Sequence, residues 1–63
     1  MKRKQLLKIL NNAGAVFIRH GGSHDIYENP RTEVLIPIPR HSDINERTAM
    51  DIIKELSKEK KDI

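Results

Sequence analysis

The chain of 63 residues has no cysteine and no tryptophan. Without cysteine there are no disulfides, no thiol catalysis and none of the commonest zinc sites, which fits a protein that works in a reducing compartment without covalent staples. Aromatic side chains are limited to Phe17 and Tyr27. Recognition of a single strand by base stacking therefore has two platforms at most, and Phe17 is expected in the core. Long apolar runs are missing too: the residues after Met1-Lys2-Arg3-Lys4-Gln5 are interrupted by Lys8 and Asn11-Asn12. That pattern suits neither a membrane span nor an export leader, and a cytoplasmic protein is expected.

Charge is what the chain has in quantity. Twelve Lys and Arg against nine Asp and Glu leave a formal net charge of +3, which favours an anionic partner without naming one. The length allows one domain over residues 1–63 with one modest core. Chains this short bury only about 60% of their unfolded surface, so a bound partner would add useful stability.

Periodicity divides the chain into five elements. Leu6, Leu7, Ile9, Leu10 and Ala13 recur at helical spacing, and Gly14 stands where a left-handed cap would end a helix running from Arg3 to Ala13. Ala15 to His20 is rich in branched and aromatic residues and reads as a strand. His20-Gly21-Gly22-Ser23 can supply the positive backbone angles of a primed hairpin turn, which makes His24 to Asn29 the antiparallel neighbour. A turn at Asn29-Pro30-Arg31-Thr32 leads to a third strand, Glu33 to Ile38, whose Pro37 puts the end of the strand at a sheet edge or already leaving the sheet. In the last segment Ala49, Ile52, Ile53 and Leu56 define a helix with Asn45 as N-cap, Ile44 and Ala49 as a staple, and Lys58, Lys60 and Lys61 at the negative end of its dipole.

The fold class is thus α+β: a helix, a three-stranded antiparallel sheet and a second helix. Val34, Ile36 and Ile38 give the third strand a single apolar face, which both helices are expected to cover, leaving the opposite face free for a ligand.

The segment Gly21-Gly22-Ser23-His24-Asp25-Ile26-Tyr27 carries the functional reading. Histidine titrates near pH 6.5, which suits it to general acid–base work, and such proton transfer contributes about 10² to 10⁴-fold in rate. Of His20, His24 and His41, only His24 directly follows a Gly-Gly-Ser turn. The turn, Gly22 included, can bring backbone N–H groups to a phosphate, while Ser23 bonds a phosphate oxygen or orients the ring. An arbitrary histidine on a hairpin is more often plain surface. Arg19, Arg40 and His41 converge on the hairpin mouth if the strands lie in sequence order, and Arg19 and Arg40 are preferred as phosphate contacts over Lys2, Arg3 and Lys4. Tyr27 stacks on a base or covers the sheet. A metal site built from His20, His24 and Asp25 or His41 lacks any usual ligand spacing, so none is expected. Ser23 as a nucleophile has no orienting acid.

The order and spacing of these motifs resemble a known family. A leucine-rich first helix ending at Asn-Ala-Gly, Arg19, Gly22-Ser23-His24, Ile26-Tyr27, Ile36-Pro37-Ile38-Pro39-Arg40-His41, and Ile44-Asn45 ahead of Thr48-Ala49 and Ile52-Ile53 look like the HicA toxins of toxin–antitoxin pairs. The resemblance runs over nearly the whole chain. It implies a fold similar to double-stranded-RNA-binding domains, cleavage of mRNA with His24 as the catalytic residue, and neutralisation by a HicB-type antitoxin; the mechanism expected for it is independent of metal and cofactor. The chain departs from many relatives at Gly21, Asp25 and Arg47. Asp25 puts negative charge beside His24, which is expected either to raise the pKa of the imidazole or to oppose phosphate. Two other classes stay open on the residues alone: an RNA-binding module without chemistry, and an interaction domain whose basic surface meets an acidic protein.

Overall fold

In the computed structural model, which describes residues 1–58, helix α1 spans Arg3–Asn12. Its apolar stripe buries Leu6 and Leu10 completely. The helix stops where the glycine predicts: Gly14 takes φ +90°, its N–H donates to the Asn11 carbonyl at 3.1 Å, and the Ala15 N–H donates to the Leu10 carbonyl at 3.0 Å. Those two bonds form a Schellman cap, whose left-handed residue is least costly without a Cβ. The start of α1 has no side-chain cap. Instead the Arg3 N–H donates to the Ser42 carbonyl at 2.9 Å, and Lys2 bridges antiparallel to Asp43.

Strands β1 (Val16–His20), β2 (His24–Asn29) and β3 (Val34–Pro39) make one antiparallel sheet in the order β1-β2-β3. That order puts β3 at an edge, where Pro37 and Pro39 fit because their missing donors face away from the ladder. The strand is shifted by one residue from expectation at both ends. Glu33 lies in the turn with φ 62°, its N–H donating to the Asn29 carbonyl at 2.7 Å, and pairing continues as far as Pro39 opposite His24.

The β1–β2 hairpin departs further from the sequence reading. His20 pairs with Asp25 and the Gly21 N–H bonds the His24 carbonyl, so Gly22 and Ser23 form the tip of the loop, yet neither takes the positive φ that a primed turn requires. What favours a glycine at position 21 is proximity. A Cβ there would stand 3.0 Å from the His24 carbonyl oxygen, the same oxygen that accepts the Gly21 N–H bond at 2.8 Å. A bulge between Phe17 and Arg19 interrupts β1.

Helix α2 covers Glu46–Ser57 and begins as expected, with Asn45 Oδ1 accepting from the Arg47 N–H at 2.8 Å. Ile44 and Ala49 are both buried at this end, as a staple requires. Ala49, Ile52 and Leu56 meet Leu6, Leu10, Ile36 and Ile38 in one core, with Ile53 packed partly against it. Each fully buried Leu or Ile contributes about 1.5–3 kcal/mol of transfer free energy.

The carbonyls at the C-terminal end of α2 are met by Asn29 of β2 and by Arg31 of the turn after it. Asn29, only 1% exposed, donates from Nδ2 to the carbonyls of Glu55 at 2.9 Å, Lys58 at 3.3 Å and Leu56 at 3.4 Å, while the Arg31 guanidinium also reaches the Leu56 carbonyl. Lys58 pairs with Glu55 at 2.9 Å, and Lys60 and Lys61 lie outside the described residues. Because α2 ends level with Asn29, nothing covers its partner Val34, which is 41% exposed instead of buried with Ile36 and Ile38. Phe17 is likewise not in the core. It lies on edge strand β1, 44% exposed, against the rings of Tyr27 and His20.

Candidate active site

Alternation along β2 sorts the candidate residues onto two faces. Asp25 meets Arg3 of α1, Tyr27 packs against the core, and Asn29 caps α2, so these three face the helices. His24, Ile26 and Glu28 therefore belong to the open face. Arg19 is paired with Ile26 and shares that face; among the described residues it makes no ion pair.

His24 opens β2 opposite Pro39 and is half-buried. Its Nδ1 lies 3.0 Å from Ser23 Oγ, a contact that fixes the ring and leaves Nε2 without a protein partner among the described residues. The imidazole borders a groove of about 390 Å³ along the outer edge of β3, between Leu35, Pro37 and Pro39 on one side and Thr48, Asp51 and Glu55 of α2 on the other. The acidic wall of this groove was not singled out from sequence. Thr48, Asp51 and Glu55 fall at i, i+3 and i+7 and so share a helix face, which was the available signal.

Behind the turn stands a charge cluster. Asp25 Oδ2 accepts from Arg3 Nη2 at 2.6 Å, and its Oδ1 contacts His20 Nδ1 at 2.7 Å and Arg40 Nε at 2.9 Å. The hydrogen bond with His20 foremost, then the hydrogen bond and charge of Arg40 and the bond from Arg3, hold the Asp25 carboxyl down at about 2 against partial burial. Arg40 goes on to donate from Nη1 to the Gly22 carbonyl at 3.0 Å and from Nη2 to the Gly21 carbonyl at 2.7 Å. The guanidinium thus ties the end of β3 to the turn that presents His24. The expected opposition of Asp25 to phosphate meets a carboxylate already surrounded by three cationic or hydrogen-bonding side chains.

The model of the HicA toxins of bacterial toxin–antitoxin systems matches residues 3–57. The chain belongs to the HicA toxin family. No curated protein and no solved structure matched it. The match begins at the first residue of α1 and ends at the last residue of α2, so it covers the whole helix–sheet–helix unit. Within this HicA fold, Gly22, Ser23, His24 and Arg40 come together at one end of the sheet, with Arg19 on the open face. Tyr27 sits on the helix side, edge-on to Phe17, and is not brought to His24. His41 is exposed in the loop after β3 and makes no side-chain hydrogen bond among the described residues. His20 and His24 turn to different partners, Asp25 and Ser23. No helix among the described residues is long and apolar enough to cross a membrane.

Proposed function

We propose that this HicA toxin is an endoribonuclease that cleaves mRNA without a metal ion, using His24 as its general base, and that a HicB-type antitoxin neutralises it. The observation that carries the reading is the Ser23–His24 contact at 3.0 Å, beside a turn whose backbone is held by Arg40. In the neutral ring with Nδ1–H donating to Ser23 Oγ, Nε2 offers its lone pair to solvent, which is the tautomer a base requires.

His24 Nε2 takes the proton of a ribose 2′-OH, the 2′-oxygen attacks the adjacent phosphorus, and the bond to the 5′-oxygen breaks. The leaving oxygen takes a proton from solvent. The products are a 2′,3′-cyclic phosphate and a 5′-hydroxyl end, with no water consumed in the step. Negative charge builds on the non-bridging oxygens, and in this reading Arg19, which shares the open face, and the N–H groups of the Gly22-Ser23 turn stabilise it. Base and charge stabilisation both come from side chains and backbone, so the chemistry needs no Lewis acid.

The test is expression of wild type and His24→Ala from a tight promoter, following growth and mRNA length. Growth arrest with shortened transcripts in the wild type alone supports the assignment. Indistinguishable strains, with both proteins folded, leave an RNA-binding module without chemistry; purified protein that cuts RNA only with added divalent ions removes the metal-independent mechanism.

A further inference from the structure

Arg40 has a second side. The same guanidinium that supports the His24 turn forms one wall of a cleft of about 460 Å³, lined also by Lys2, Arg3, Lys4 and Ser42, between the first turn of α1 and the loop after β3. Four cations line it. Of the carboxylates, Asp25 lies beneath, on Arg3 and Arg40, and Asp43 pairs with Lys2 at 3.1 Å across an exposed contact that water screens. Lys4 is exposed and has no ion-pair partner among the described residues.

This surplus stands in an unfavourable place for the free protein. The first turn of α1 holds Arg3 and Lys4 and no acidic residue, so its side-chain charge adds to the positive end of the helix dipole instead of offsetting it. An anion bound in the cleft would relieve that repulsion and meet the charge of Lys2, Lys4 and the two guanidinium groups together.

We infer that this cleft is a phosphate subsite for the RNA strand on its way past His24, taking a backbone phosphate away from the scissile one. The inference rests on the ribonuclease reading for its ligand, and Arg40 supplies the link, because one side chain touches both the cleft and the turn. Contacts of this kind read the phosphate backbone and not the base, so the subsite serves any sequence.

The test compares wild type with Lys2→Ala/Lys4→Ala, and with Lys54→Ala/Lys58→Ala as a control that removes the same charge near the C-terminal end of α2. Affinity for a fluorescein-labelled 2′-O-methyl RNA, intact by gel, is measured across a salt series. For the cleft variant we expect weaker binding and a log K against log salt slope smaller in magnitude by about 0.7 to 1.4, the loss of one to two single-strand phosphate contacts. On cleavable RNA its KM should rise more than its kcat falls. Equal losses in the control would reduce the effect to bulk charge and overturn the subsite, as would an unchanged slope. A wild type that binds with the expected slope difference yet never cuts RNA would remove the proposed nuclease activity and leave the subsite standing.

Discussion

Arg40 and Asp25 are joined at 2.9 Å, and through that pair the end of β3 is locked to the start of β2. The carboxylate also holds Arg3 of α1 at 2.6 Å, so one side chain couples a helix, a strand and the loop that carries His24. Its pKa of about 2, against an ordinary 3.8, gives this arrangement a pH signature. A group whose folded pKa is depressed stabilises fully above its unfolded pKa and loses that contribution as pH falls through the folded one. Thermal unfolding of the wild type should therefore weaken between about pH 4 and about pH 2 more than that of Asp25→Asn, which lacks the titrating group. Parallel curves for the two proteins would refute the coupling. At neutral pH, Asp25→Asn should lower cleavage roughly ten- to a hundredfold, chiefly in kcat, because it removes the charge that anchors the guanidinium whose bonds to the Gly21 and Gly22 carbonyls hold the turn.

Two adjacent glycines give a sharper test of how that turn is built. The Cβ of Gly21→Ala would meet the His24 carbonyl at 3.0 Å, whereas that of Gly22→Ala meets nothing within 4 Å. Neither position needs a positive φ. Gly21→Ala should cost about 1–3 kcal/mol and reduce activity by shifting His24, while Gly22→Ala stays within about 0.5 kcal/mol of wild type. Urea unfolding and cleavage rates of the two variants, side by side, decide it; equal effects would mean that the loop tolerates a methyl group at either place.

Ser23→Ala isolates the orienting role of the hydroxyl 3.0 Å from His24 Nδ1. Loss of that contact frees the ring without removing the base, so kcat should fall roughly tenfold, less than the roughly 10²-fold or more expected for His24→Ala. KM should hold if Ser23 acts through the ring and rise if it binds phosphate directly. Ser23→Thr, which keeps the hydroxyl, should restore most of the rate. No rescue by threonine would argue against orientation.

The element order and the buried face were legible because they depend on local periodicity and caps: Leu6 and Leu10, Ala49 and Leu56, Gly14 and Asn45 each do in the structure what their spacing implies. The sequence reading went astray where a residue's role depends on a distant element. Val34 alternates correctly but lies past the end of α2, and Phe17 is apolar on a strand that the helices do not reach. Gly21 looked like a turn residue and is a close-approach residue. At the site, the His24–Ser23 neighbourhood was legible, since it is local. The cluster of Arg3, His20, Asp25 and Arg40 was not, because its members are brought together only by the register of β2 with β1 and β3 and by the position of α1.

Asn29 offers the last test, and it concerns the end of the molecule opposite His24. Its Nδ2 faces three carbonyls of the terminal turn of α2, and its Oδ1 accepts the Arg31 N–H at 3.0 Å, so both ends of the buried amide are satisfied. Asn29→Ala strands those carbonyls at the negative end of the helix dipole and should destabilise the fold by about 1–3 kcal/mol. Asn29→Asp should be worse at neutral pH, because it turns a carboxylate toward the carbonyls that the amide had satisfied. Burial and those carbonyls would raise the new carboxyl's pKa above its unfolded value, so the folded state takes up a proton more readily than the unfolded one. The deficit of Asn29→Asp relative to wild type should then shrink as pH falls through the raised value, while that of Asn29→Ala stays nearly constant. Urea denaturation of the three proteins at neutral and mildly acidic pH reads both effects, and a deficit for Asn29→Asp that grows on acidification would contradict the capping role.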